Sequence, residues 1–287
     1  MRIRRLTPST VIAAIPLLWA IIFMFVPYTL MFVYSFYTKE FPLFVPDFQF
    51  GNYLALVKDP QYRQVFLRTF KIASLVTFFS LLLSYPVAYC LIFKVASSRA
   101  RQMIYLAMII PLWASYLLRA YTWKIILGTQ GVLNSLLIWL NIISQPIDLF
   151  LYSQAAIIIT LVHIFIPFMF MPVYTSLEKI PRNLLEASSD LGVGGISTFL
   201  RVTLPLSVTG IAAGIAFTFC LSFGDFIAPF LVGGPDGFMI ANIVQSQFGT
   251  ALNWPLGSAI SMAILGVVLL VIAATDRLER AGRINQG

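Results

Sequence analysis

Charge is the first thing this sequence lacks. Asp, Glu, Lys and Arg make up only 10% of its 287 residues, against about a quarter in soluble globular chains. A surface that stays dispersed in water carries about 25–35% charge, so most of this surface meets something other than water. Histidine occurs once, at His163, which excludes a His-based zinc site and any H-E-x-x-H helix. The two cysteines, Cys90 and Cys220, both fall inside apolar runs. They allow at most one bridge and read as small apolar fillers. No G-x-x-x-x-G-K-[ST] occurs, so the chain has no phosphate loop of its own and is not an ATPase. No G-x-S-x-G elbow or nucleophile–base pair supports an intramembrane hydrolase. The sequence shows no internal repeat and no low-complexity segment.

What is abundant is apolar. Hydrophobic residues reach 59% and aromatics 15%, and the mean hydropathy is +0.89. Crossing a bilayer takes about 20 largely apolar residues. Six runs qualify: Val11–Phe36, Ile72–Phe93, Met103–Leu118, Ala155–Leu177, Leu206–Val232 and Leu256–Thr275. The first is too long for a signal core and ends in no small-x-small cleavage site, so it reads as a retained anchor. The expected architecture is an all-α integral membrane protein. It has a short N-terminus (1–10), one six-span domain (11–275) and a C-terminal tail (276–287).

The net charge of +8 does not point to nucleic acid, because no basic stripe exists; the cations serve orientation. Residues 1–10, 94–102, 178–205 and the tail hold twelve Lys and Arg, starting with Arg2, Arg4 and Arg5. The alternate connections hold seven over a greater length. The positive-inside rule therefore expects both termini in the cytoplasm. Of the outer connections, residues 37–65 read as a polar and aromatic loop. Leu133–Ile143 reads as a short interfacial helix, and Gly233–Gly237 as a turn before a helical stretch through Gln245 and Gln247.

The inner segment 178–205 carries the most pattern. Asn183 is placed to cap a helix beginning at Leu184, with Glu186 in its first turn. Gly192 stops that helix. A second helix is expected from about Ile196 to Val202, broken at Leu204-Pro205, where the fifth span begins. The result is a short helical hairpin on the inner side, held off the bilayer and roughly parallel to it.

At these residues the chain resembles the permease subunits of bacterial ATP-binding-cassette importers, whose motif is E-A-A-x3-G-x9-I-x-L-P. Here it stands as Glu186-Ala187-Ser188, three residues, Gly192, nine residues, and Val202-Thr203-Leu204-Pro205. The spacing is intact; Ser188 for alanine and Val202 for isoleucine are the departures. Further along, the chain is similar to the first of the two unlike permeases of spermidine/putrescine importers. The residues responsible include Leu118–Ile125, Ile166–Pro172, Gly224-Asp225, Gly233–Asp236 and Asn253-Trp254-Pro255.

The resemblance implies a type I importer permease fold in the bacterial inner membrane, with a cytoplasmic coupling hairpin. It implies a second permease, two ATPase subunits that use ATP and magnesium, and a binding protein outside; this chain itself binds no cofactor and is no enzyme. It carries the ATPase-coupling role onto Glu186, Ala187, Ser188, Gly192, Leu204 and Pro205. The substrate it implies is a small cation, a polyamine, with other small solutes as the alternative. An ion-driven secondary transporter is the rival class; it would show inverted repeats and paired intramembrane acids, which this sequence lacks.

Asp225 is the one acidic residue well inside an apolar run, with Phe223 and Phe226 beside it. A carboxylate flanked by rings suits an ammonium group. Two roles stay open: a place on the substrate pathway, or pairing with a hydroxyl or basic group of a neighbouring helix. Trp113, Ser115, Tyr116 and Tyr121 are further pathway candidates, although an aromatic belt accounts for such residues too. His163 is expected to be a hydrogen-bonded packing residue, and Pro111, Pro167 and Pro172 to interrupt spans three and four.

Overall fold

The computed structural model describes residues 8–40, 42–147 and 150–284, with side chains from Pro16 to Arg280. The basic head Arg2, Arg4 and Arg5 and residues 285–287 of the tail lie outside the described residues. The order of elements is α1 (Pro8–Tyr34), β1 (Thr38–Glu40), β2 (Leu43–Val45), α2 (Gly51–Lys58), α3 (Pro60–Phe93), α4 (Ser98–Ile109), α5 (Tyr116–Leu127) and α6 (Val132–Trp139). There follow α7 (Gln154–Glu178), α8 (Arg182–Asp190), α9 (Gly195–Thr198), α10 (Leu204–Phe223), α11 (Ile227–Val232), α12 (Ile240–Phe248) and α13 (Trp254–Ile284). Among the described residues five helices are long and apolar enough to cross a membrane. A bent pair, Ser98–Trp113 with Tyr116–Trp139, makes a sixth.

The expected spans are present, with instructive departures. The third is not one run over Met103–Leu118: it bends by 95°. Pro111 opens a 3-10 turn (Ile110–Trp113), and Ala114 and Ser115 are extended (ψ 141 and 133) before α5 restarts. The fifth likewise stops at Phe223 and restarts at Ile227 as α11. By contrast α7 runs unbroken through Pro167 and Pro172. Proline removes a donor from the ladder, and side chains from other helices donate to carbonyls in that stretch. Arg119 Nη1 bonds Ile164 O at 3.2 Å, and Ser84 Oγ bonds Ile166 O at 3.4 Å.

The chain forms two compact units. One draws on residues 1–62 and 244–265. In it, what reads as a loop in sequence is partly ordered. Strands β1 and β2 pair antiparallel, with Lys39 opposite Phe44. Asn52 of α2 donates to the carbonyls of Ser35 and Tyr37, each at 2.9 Å. Lys39 Nζ donates to Ala251 O at 2.6 Å, and Phe44 stacks on Trp254. Side chains of α1 from Pro16 to Leu30 are exposed, as suits a helix apolar all round that meets lipid or another chain.

The other unit draws on residues 63–243 and 266–287, and α7 is its spine. One core gathers Ile72 and Val76 of α3, Ala120 and Leu127 of α5, Ile157–Phe165 of α7, and Ala228–Val232 of α11. A second joins Tyr85–Ile92 of α3 to Met169–Leu177 of α7. Helix α10 lies close on α7 because Gly210 has no side chain. A Cβ there would fall 2.1 Å from Ser176 Oγ and 2.4 Å from Pro172 O. Small residues at such contacts are how apolar helices approach in lipid, where no hydrophobic force drives them together.

Candidate functional site: a hairpin and a pair of helix breaks

The hairpin forms where the motif stands, built differently from its sequence pattern. Helix α8 begins at Arg182, directly after Pro181, whose carbonyl accepts from Leu184 N at 3.2 Å. Asn183 is therefore inside the first turn and caps nothing; proline supplies the entry instead. At the other end Gly192 takes φ +73. Its N–H bonds Ser189 O at 2.9 Å, and Val193 N bonds Ser188 O at 3.1 Å. This paired closure satisfies the last carbonyls and requires a left-handed residue. No atom lies within 4 Å of a Cβ built at Gly192, so conformation alone demands glycine there.

The second limb does not break at Leu204-Pro205. It runs continuously from Gly195 to Phe223. A π turn at Phe199–Thr203 lets Leu204 N reach Phe199 O, five residues back. The wider turn absorbs the donor that Pro205 lacks. Ser188, one of the departures from the motif, is buried and shares a 2.8 Å hydroxyl hydrogen bond with Thr198. Its side chain clasps the two limbs. Glu186 and Ala187 are exposed, while Leu204 and Pro205 are half-buried. The same hairpin exposes large apolar side chains, Leu191 (82% exposed) and Ile196 (80%), with Leu184 and Leu200. An apolar patch held away from the protein's own core marks an interaction surface. Ile196 and Leu200 escape a motif reading because they fall in its unspecified positions.

In the second group of expected residues, the structure brings Tyr116 and Asp225 together. The Tyr116 hydroxyl donates to Asp225 Oδ2. Asp225 Oδ1 accepts from Ala228 N at 2.9 Å, so the carboxylate also caps the first turn of α11. Asp225 is 9% exposed, and among the described residues it makes no ion pair. Phe226, beside it, is 40% exposed, and its carbonyl accepts from Asn242 Nδ2 at 2.7 Å. Phe223 does not flank the carboxylate as an open ring face. It is fully buried, stacked on Phe219 (centroids 5.5 Å) and edge-on to Phe66 (5.7 Å). Trp113 and Tyr121 are exposed, as is Ser115, and none of them bonds Asp225.

His163 packs its ring against Trp123 (5.6 Å) and makes no hydrogen bond among the described residues. It lines an apolar cavity of about 410 Å³ with Phe79, Leu83, Trp123 and Ile166. Sequence position alone does not show that its side chain faces outward.

No family model matches the chain. Individual relatives do. The spermidine/putrescine transport system permease protein PotB of Escherichia coli is 37% identical over 264 residues, covering 91% of this chain and 94% of the relative. PotB of Haemophilus influenzae is 34% identical over 268 residues, 91% of each. The inner membrane ABC transporter permease protein YdcU of E. coli is 35% identical over 277 residues, 92% of this chain and 87% of the relative. Among solved structures, a chain of the bacterial alginate ABC transporter in complex with alginate-bound periplasmic protein superposes with a TM-score of 0.77. It is 16% identical and covers 94% of this chain and 93% of that one. A chain of the MetNI methionine ABC transporter gives 0.57 at 19% identity, over 78% and 99%. These two share the fold.

Proposed function

The chain belongs to the family of spermidine/putrescine transport permeases, the PotB proteins, and from that premise we propose that it forms one half of the translocation pathway of an ATP-driven polyamine importer. It is a multi-pass inner-membrane permease with a type I importer fold and a transport rather than an enzymatic role. One observation carries the finer reading. The family motif is built as an exposed hairpin whose apolar residues Leu191 and Ile196 face away from the core. We place the docking surface for a separate ATPase subunit there, formed by Glu186, Ala187, Leu191 and Ile196. Gly192, Ser188, Leu204 and Pro205 hold its shape. ATP and magnesium are used by that partner. A second permease completes the pathway, and a soluble binding protein delivers the substrate.

The coupling follows from how the limbs connect. The second limb of the hairpin is the start of the helix that ends at Phe223, just before Asp225. A push on the hairpin is therefore carried along one continuous helix to the break at Gly224, about 40 Å away at 1.5 Å per residue. Asp225, Phe226 and Tyr116 line the pathway on this reading, with Ser115, Trp113 and Tyr121 toward its mouth.

The test is reconstitution with the ATPase, the second permease and the binding protein in vesicles. Labelled spermidine or putrescine should accumulate only with ATP, and uptake without the ATPase subunits would overturn the reading. Orientation is checked in a variant lacking Cys90 and Cys220. A cysteine in the Pro235–Gly237 turn should react with an impermeant reagent from outside, and one at Asn183 should not. The reverse pattern would invert the topology.

A further inference from the structure

Two helices of the same unit break, and one hydrogen bond ties the restarts together. Tyr116 is the first residue of α5, after the extended pair Ala114 and Ser115. Asp225 stands two residues ahead of α11. The Tyr116 hydroxyl on Oδ2 and the Ala228 N–H on Oδ1 are both neutral donors. A carboxylate this buried is stabilised far better by a cation than by neutral donors alone. The nearby cation does not serve: Arg119, one turn along α5, points its Nη1 at Ile164 O, 3.2 Å away. Asp225 is thus a buried acid without a charged partner among the described residues, at the point where two broken helices meet.

We propose that an ammonium group of the substrate displaces the Tyr116 hydroxyl from Asp225, and that this exchange unties the α5 restart from the cap of α11. The proposal rests on the polyamine reading above. The Ala228 bond stays, so the carboxylate remains on α11, while the start of α5 loses its hydrogen bond to it and the apolar packing of the two helices is kept. The tie between the two restarts then depends on the substrate: made without a cation, exchanged when one arrives. Half-buried Tyr116 packs its ring near Phe165 (6.3 Å).

The experiment uses the assembled importer in vesicles, with labelled putrescine and three variants: Tyr116→Phe, Asp225→Asn and both together. Tyr116→Phe keeps the ring and removes the competing donor. It should lower KM for putrescine about tenfold and raise ATP hydrolysis measured without substrate, since a hydrogen bond to a charged group no longer has to be given up. Asp225→Asn should raise KM about ten- to a hundredfold, and in that background Tyr116→Phe should change nothing further. Tyr116→Phe with unchanged KM overturns the exchange, whether or not complex yield falls, and decides the matter even where Asp225→Asn fails to assemble. Asp225→Asn that assembles with the second permease in low yield, while the assembled fraction keeps its KM, makes the acid an assembly contact and overturns it too. A wild-type complex that takes up neither putrescine nor spermidine sinks the substrate reading. Uptake by the wild type with KM unmoved in every variant sinks only the exchange.

Discussion

The hairpin at 186–205 and the helix breaks at Tyr116 and Asp225 are built on different principles. In the hairpin every defining contact is local: Gly192 closes on Ser189, and Ser188 clasps Thr198 ten residues on. At the breaks the defining contact spans 109 residues. The first can be copied as a short motif into any loop that precedes a span. The second exists only because α7 presents one core to both α5 and α11. One region is a portable handle, the other a product of the whole unit. The contrast predicts that damage to the scaffold destroys the second before the first, and that damage to the handle leaves the spans intact.

The largest effect should come from the scaffold. Gly210→Leu forces a side chain into Ser176 and the Pro172 carbonyl, an overpacking cost of about 3 kcal/mol that backbone cannot relieve. Purified complex should nearly vanish. Gly214→Ala should be milder, because its nearest neighbour is the flexible Met169 side chain. Equal yields of the two alanine variants, Gly210→Ala and Gly214→Ala, would show that the α7–α10 approach is looser than drawn here.

Next comes the handle's surface. Replacing Leu191 or Ile196 with Asp leaves the core untouched, since both are at least 80% exposed. If an ATPase subunit covers them, each should cost about 2 kcal/mol, roughly a thirtyfold weaker association. Co-purification with the ATPase measures it, with span integrity judged by thermal unfolding. Normal co-purification would move the docking surface elsewhere.

Gly192 should separate shape from contact. Gly192→Leu costs about 1–2 kcal/mol of left-handed backbone strain with no steric clash. It should lower transport per ATP hydrolysed while the complex still assembles. Gly192→Asn, which tolerates the same conformation, should keep coupling near normal. If asparagine and leucine behave alike, positive φ is not what the position requires.

The smallest effect belongs to the clasp. Ser188→Ala restores the alanine of the motif but leaves the Thr198 hydroxyl buried without its partner, at about 1 kcal/mol. Adding Thr198→Val should recover most of that loss. A double-mutant cycle on thermal stability reads the pair directly.

The difference between the regions also accounts for how each could be read. Membrane character, span number and the hairpin's place followed from scarce charge, long apolar runs and a motif with fixed spacing, because the bilayer imposes those on the chain segment by segment. Gly192 was legible for the same reason: a left-handed helix end is a local demand, and its φ of +73 meets it. Asn183 misled because the helix starts two residues earlier than its capping position requires, with Pro181 at the entry. Pro205 misled because a π turn absorbs a missing donor without ending the helix, and no local propensity signals that choice.

The sequence by itself determined a membrane-spanning permease, the position of its helical hairpin and the presence of one acid inside an apolar run, since each is a property of a short segment facing lipid or water. Only the tertiary structure decided that Asp225 answers to Tyr116, that Phe223 is spent in the core, and that Ser188 turns inward to Thr198. Those outcomes depend on which helix faces which, and helices in a bilayer choose their neighbours by close packing and hydrogen bonds across the whole unit rather than by hydrophobicity, which is uniform along them.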